Sequence, residues 1–168
     1  MNRAEAQGLL IVRSMTLTDL QGAAEVHRLA FVRQRLSRDW LTATLAAHPR
    51  FLSFVATEQP RVVGYILWAQ KSGFRDQAVM ELDQIAVLPT EQGRGIARCL
   101  IDESLPLVKQ QLCRQGSTLK HIIVNTRADN HAQRLYRSAL GAEVVATIAD
   151  LYSADEVLML SRDMDGKA

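Results

Sequence analysis

Apolar positions along this chain fall into blocks whose spacing separates strands from helices. Leu9 to Val12 is a short apolar run and predicts a first strand. Thr16 with Asp19 three residues on has the form of a capping box. Leu20, Ala24, His27 and Phe31 then recur at helical spacing, and His27 is expected to be a packed residue on that stripe rather than a catalyst. A second helix is expected from Ser37 or Asp39 to Ala47, with Ser37 as candidate cap, His48-Pro49 as its stop, and Trp40, Thr44 and Ala47 on one side. The runs Leu52 to Thr57 and Val62 to Ala69 flank the turn Glu58-Gln59-Pro60-Arg61 and predict an antiparallel hairpin. Lys71 to Gln77 reads as a loop, and Val79 to Leu88 as a strand stopped by Pro89. Ile101, Leu105, Val108 and Leu112 mark the longest helix, Gly95 to Leu112. Pro106 inside it lacks a backbone donor, so a kink or break is expected there. A strand Lys120 to Asn125, a helix Asn130 to Leu140 ended by Gly141, and strands Glu143 to Ile148 and Glu156 to Arg162 complete the chain.

That order predicts a mixed α/β (α+β) fold, a sheet flanked by helices. With 168 residues and no repeat or linker, a single domain over 1–168 is expected, its core about 9–163, with Met1 to Gly8 and Met164 to Ala168 fraying. Apolar residues make up 48% and charged residues 23%, ordinary values for a soluble globular protein. The net charge of +2 is too small to argue for nucleic acid, yet it suits an anionic small ligand if the positive groups share one cleft. Cys99 and Cys113, the two cysteines, fall in one predicted helix with no metal spacing to a histidine. They read as buried or half-buried free thiols, and no metal is expected. His48, His121 and His131 read as turn or surface residues. No signal-peptide pattern and no membrane-length apolar run is visible, so a cytoplasmic protein without membrane partner is expected.

The most informative segment is Leu82 to Leu100, LDQIAVLPTEQGRGIARCL, in which a strand passes through a glycine-bearing turn into a helix. The first N–H groups of a helix lack internal partners and sit at the positive end of its dipole. A pyrophosphate answers both deficits. Glycine lets the backbone come close to such a ligand, and Arg94 and Arg98 add positive charge beside the turn. A P-loop would need a lysine after the last glycine, and the dinucleotide fingerprint a third glycine; neither is present.

Gln92-x-x-Gly95-x-Ala97 resembles the Q/R-x-x-G-x-G/A motif of the GCN5-related N-acetyltransferase (GNAT) superfamily. Asn125 to Asn130, Ala132-x-x-Leu135-Tyr136 and Gly141 add to the likeness, which covers nearly the whole chain. The resemblance implies a GNAT fold: a twisted, mostly antiparallel sheet of about seven strands with about four helices, splayed between the fourth and fifth strands. It implies acetyl-CoA as cosubstrate, an amine as acceptor, and direct attack in a ternary complex. Backbone groups of Ile85, Ala86 and Val87 would pair with the pantetheine arm as an added strand does. Gln92, Gly93, Arg94, Gly95, Ile96, Ala97 and Arg98 would hold the pyrophosphate, with Asn125, Asn130 and Tyr136 also at the cofactor. GNAT dimers are common, so a homodimer fits as well.

An amine attacks only when neutral, so a base or a water relay is needed. Glu81 is the candidate base, since some GNAT enzymes carry a catalytic glutamate there. Asp83, two residues on, shares its face unless a bulge intervenes, and two close carboxylates raise one pKa. Either could instead bind a cationic substrate or face water. Val87 N–H is the candidate oxyanion donor. Other GNAT members place the glutamate at the position of Asn125, which cannot act as a base; this counts against the usual ribosomal-protein N-terminal acetylation. Tyr136 is the candidate acid for the leaving thiolate. Its spacing is off by one: Asn130 to Tyr136 is a residue short, a turn of about 100° on a regular helix. Either the helix is locally irregular or Arg137 takes the family's direction. Asn130 is the candidate cap. The early helices, the Lys71 to Gln77 loop and the final hairpin, with Tyr152, would set the acceptor. A non-catalytic acyl-CoA-binding module and a nucleotide-binding domain of another class are the rival readings.

Overall fold

The computed structural model describes residues 8–166. The expected ends at 1–7 and 167–168 lie outside that range. In chain order the elements are β1 (Leu10–Ser14), α1 (Leu20–Ala30), α2 (Ser37–Ala46), β2 (Phe51–Glu58), β3 (Arg61–Gln70), β4 (Gln77–Val87), α3 (Ile96–Arg114), β5 (Thr118–Arg127), α4 (Gln133–Leu140), β6 (Glu143–Ile148) and β7 (Glu156–Ser161). Two 3-10 turns, Leu17–Asp19 and Pro89–Glu91, precede α1 and follow β4. The seven strands form one sheet in the order β1-β2-β3-β4-β5-β7-β6, of mixed parallel and antiparallel pairs. The predicted order of elements is the observed one.

The chain forms two compact units. The first runs up to Leu67 and adds Gln84–Ser104. Here β1 pairs antiparallel with β2, from Leu10↔Glu58 to Ser14↔Phe54. Strand β2 is buried along Leu52–Thr57, which is why its sequence is a continuous apolar run and not an alternation. Helix α1 buries Leu20, Ala23, Ala24, Val26 and His27. The capping box is present: Thr16 N–H donates to Asp19 Oδ2 at 2.8 Å. Arg13 also grips Asp19 through both guanidinium nitrogens, at 2.7 and 2.8 Å, and holds that carboxyl below its ordinary range. Ser37, the expected cap of α2, is instead its first helical residue. Leu36 precedes it with a left-handed φ of 54°, and the Ser37 hydroxyl is turned to His27.

The second unit comprises Trp68–Asp83 and the chain from Leu105 onward. Strands β4 and β5 run parallel, and their ladder extends from Gln77↔Thr118 to Glu81↔Ile123, short of the ends of both strands. On its other side β5 pairs antiparallel with β7 as far as Arg127↔Glu156, and β7 pairs antiparallel with β6. Val108, Leu112, Leu119, Ile122, Val124, Leu140 and Met159 are buried core residues. Three expectations change. Helix α3 is continuous across Pro106, since a proline removes one donor without stopping the bonds on either side. Cys113 is exposed, whereas Cys99 is half-buried. Met164 is not frayed: it is buried, its N–H donates to Lys120 O at 2.9 Å, and its carbonyl accepts from Lys109 Nζ at 2.8 Å.

Candidate active site

In the first unit, Pro89 opens the 3-10 turn that ends β4, and Gln92 follows in extended conformation. Gly93 and Gly95 both have left-handed backbones, φ 79° and 77°, which a side chain would strain by about 1–2 kcal/mol. A Cβ built on either would meet no atom within 4 Å, so the space over the turn is open. The first helical bond of α3 runs from Cys99 N–H to Gly95 O at 3.0 Å. Among the described residues, no acceptor meets the N–H groups of Gly95, Ile96, Ala97 and Arg98. Ile96 is buried and anchors this end of the helix. The turn therefore has what an oxyanion ligand requires: open space, free donors and the positive end of a helix.

The arginines beside it are already paired. Arg94 bonds Glu58 and Glu91, each at 2.5 Å, and Arg61 reaches Glu91 at 3.4 Å. Arg98 Nε donates to its helical neighbour Asp102 at 2.7 Å. Their charge is compensated locally, and the free backbone is what the turn offers an anion.

One residue before Ile85, Gln84 joins a network that the sequence reading missed. Gln84 Oε1 accepts from Tyr65 Oη at 2.9 Å and Trp40 Nε1 at 3.2 Å, and its Nε2 donates to Gln34 Oε1 at 3.1 Å. His27 Nε2 meets the same Gln34 oxygen at 2.9 Å, and its Nδ1 lies 2.9 Å from Ser37 Oγ. His27 is buried, as expected, and burial pushes its pKa down. Only its position on the α1 stripe was readable beforehand; its two hydrogen-bond partners, Gln34 and Ser37, come from the loop after α1 and from α2.

In the second unit, Glu81 and Asp83 stand together on β4. Both oxygens of Glu81 are engaged, Oε1 by Asn125 Nδ2 at 2.9 Å and Oε2 by Lys71 Nζ at 2.7 Å. Asp83 Oδ2 is buried with no hydrogen-bond partner among the described residues. Burial, then the Glu81 charge, push the Asp83 carboxyl up to about 6, with Lys71 opposing. Asn125 thus orients a carboxylate from the next strand.

Asn130 lies ahead of α4, two residues before its cap Ala132. Its Oδ1 accepts Ala132 N–H at 2.9 Å and its Nδ2 donates to Thr126 Oγ1 at 2.8 Å. The expected cap is therefore displaced into the preceding turn. Gln133 N–H and Arg134 N–H close i→i+3 bonds to Asn130 and His131, so the helix begins with a tightened turn. The start of α4 is locally irregular, and in it Tyr136 is buried and Arg137 exposed. Burial pushes the Tyr136 phenol up to about 12. Gln133 Nε2, unremarked in the sequence, holds the loop through the carbonyls of Arg127 and Ala128 at 3.2 and 2.9 Å. No cluster of metal-ligating side chains occurs among the described residues, and no helix is long and apolar enough to cross a membrane.

Comparison with known proteins bears on the family and the fold. Residues 16–142 match the family model described as "Acetyltransferase (GNAT) family". No curated protein matches the chain by sequence. Among solved structures, NAA60 of Arabidopsis thaliana in complex with acetyl-CoA aligns with a TM-score of 0.74 at 17% identity, covering 92% of this chain and 99% of that one. The ribosomal-protein-S18-alanine N-acetyltransferase of Escherichia coli aligns with 0.70 at 21% identity, covering 92% and 94%. An aminoglycoside 6'-N-acetyltransferase complexed with coenzyme A aligns with 0.71 at 12% identity, covering 90% and 96%. With most of its length matched by the family model and its sheet and helices in that order, this chain belongs to the GNAT family of acetyltransferases.

Proposed function

We propose that this protein transfers the acetyl group of acetyl-CoA to a primary amine by direct attack in a ternary complex. The observation that carries the reading is the open turn Gln92–Ala97, with left-handed glycines and unpaired N–H groups at the start of α3. These donors would hold the pyrophosphate, and the backbone of Ile85, Ala86 and Val87 the pantetheine arm. Two of the aligned structures hold acetyl-CoA or coenzyme A, which supports the same ligand here. Once bound, acetyl-CoA supplies an activated acyl carbon and a thiolate leaving group.

Of the two carboxylates, Asp83 is the better base. Glu81 is committed to Asn125 and Lys71, whereas Asp83 has a buried oxygen without a partner and a pKa near neutrality. A base works best when its pKa lies close to the working pH. Asp83 takes the proton of the incoming ammonium; burial and then the Glu81 charge keep its pKa high, and the Lys71 charge opposes them. Val87 N–H is the oxyanion donor by its place on β4. Tyr136, with its proton held up to about 12, hydrogen-bonds the departing sulfur without ionising.

Incubation with acetyl-CoA and a panel of amines and peptides, read by free thiol release, tests the proposal. Acetylated product with at least one amine is expected. Tight acetyl-CoA binding with no acetylated amine would return the protein to a non-catalytic acyl-CoA-binding role.

A further inference from the structure

The side-chain network around Gln84 has a direction that can be read from the chemistry of its members. Trp40 Nε1 can only donate, so the Gln84 atom facing it is the oxygen. The Gln84 amide nitrogen then faces Gln34, which must present its own oxygen. His27 Nε2 meets that oxygen and must therefore carry the ring proton, leaving Nδ1 to accept from the Ser37 hydroxyl. Burial keeps the ring neutral, in agreement with this tautomer.

Counting the remaining valences gives an asymmetric result. Both amide oxygens are saturated, each by two donors. Both N–H groups of the Gln34 amide and the second N–H of Gln84 have no partner among the described residues. The open end of the network consists of donors alone. Gln34 is exposed, and exposed Val32, Leu36 and Trp40 surround it in sequence as an apolar rim. Arg33, Arg35 and Arg38 interleave with them, against Asp39 alone, so the stretch is cationic. Leu36 also keeps a left-handed backbone there, which a residue with a side chain adopts only at a cost. Gln84 is the residue before Ile85, where the acyl-bearing arm is proposed to lie.

We infer that Gln34 and Gln84 form a subsite for an oxygen acceptor, a carbonyl or carboxylate, carried by the acceptor amine close to its nitrogen. The inference rests on the acetyltransferase reading and deepens it. It defines the substrate class as amino acids or their carboxamides with an apolar side chain, in preference to bare alkylamines. His27 and Ser37 are positioning residues that fix which way the Gln34 amide points.

The test uses matched probes on the full chain: phenylalanine, phenylalaninamide and phenethylamine, and leucine, leucinamide and isoamylamine. Acetylation gives kcat/KM for each, and calorimetry gives binding to the coenzyme A-loaded protein whether or not turnover occurs. The expected order is acid, then carboxamide, then bare amine, with about tenfold between either oxygen-bearing probe and the amine, the factor carried by one hydrogen bond of ~1.4 kcal/mol. Carboxamide above acid would identify a carbonyl as the group recognised and also supports the subsite. Gln34→Glu keeps the oxygen facing Gln84 and His27 but replaces the free donors with an anion. It should collapse the acid-to-amine ratio by about tenfold or more through KM, with thermal stability and coenzyme A affinity retained. Turnover without preference for the oxygen-bearing probes overturns the subsite and leaves the acetyltransferase standing. Preferential binding without any turnover does the reverse. Absence of both preferential turnover and preferential binding overturns the subsite, as does an unchanged ratio in Gln34→Glu.

Discussion

Consider replacing Asp83 by asparagine and following activity and stability across pH. The carboxyl is raised from 3.8 to about 6 by burial and by Glu81. As a base it must be ionised, so kcat/KM for the amine should fall about tenfold per unit below pH 6 in the native enzyme. Asp83→Asn should lose this limb together with about 100-fold of the rate or more, within the range of a general base. Stability moves the other way. Between about pH 4 and 6 the folded protein keeps a proton on Asp83 that the unfolded chain has released, so stability falls as pH rises through this window. A carboxyl raised this far corresponds to about 3 kcal/mol, and partial solvent access reduces this to about 1–2 kcal/mol. The contribution is complete below pH 4 and gone above the folded pKa. The melting temperature of the native protein, relative to Asp83→Asn, should therefore drop by about 2–8 °C between pH 4 and 7.5. Thermal melts of both proteins in matched ionic strength, with initial rates at saturating acetyl-CoA, check both arms. A parallel pair of melting curves, or an Asp83→Asn enzyme with the native pH profile, would refute the assignment of a raised, catalytic carboxyl.

Other consequences can be measured in the same preparations. Glu81→Gln removes the negative charge that lifts Asp83 and should move the acidic limb to lower pH with activity retained, whereas Lys71→Met should move it up; abolished turnover in Glu81→Gln would make Glu81 the base. Gly95→Glu places a side chain and a negative charge over the turn and should weaken acetyl-CoA binding by about 100-fold, the loss of two charge-assisted bonds; titration calorimetry reads it, and unchanged affinity would remove the site. Tyr136→Phe should slow turnover more than it weakens cofactor binding, and because its phenol sits at about 12, the native profile should show no tyrosine limb below pH 10.

Two of the solved structures that share this fold are named for different acceptors, a ribosomal protein's alanine and an aminoglycoside. The architecture therefore does not decide the acceptor. In the subsite proposed above, that choice would fall to Gln34 in the loop before α2, Trp40 in α2 and Gln84 in β4, which lie far apart in the sequence.

Local rules were sufficient wherever a signal lay within a few consecutive residues. The Thr16–Asp19 box, the buried β2 run, the stop at Pro89 and the glycines before α3 were legible because capping, burial on two faces and left-handed φ are dictated by neighbours in the chain. The spacing of Glu81 and Asp83 likewise announced a coupled pair. What distance in sequence concealed was the outcome of each coupling. That Glu81 is satisfied and Asp83 is not depends on Asn125 and Lys71, brought from β5 and the end of β3. The tautomer of His27 depends on Gln34 and Ser37, and through Gln34 on Gln84 of β4. Arg94, expected beside the pyrophosphate, pairs with Glu58 of β2, a partner 36 residues away. A hydrogen bond or an ion pair has a partner, and the identity of that partner is settled only when the strands and helices pack.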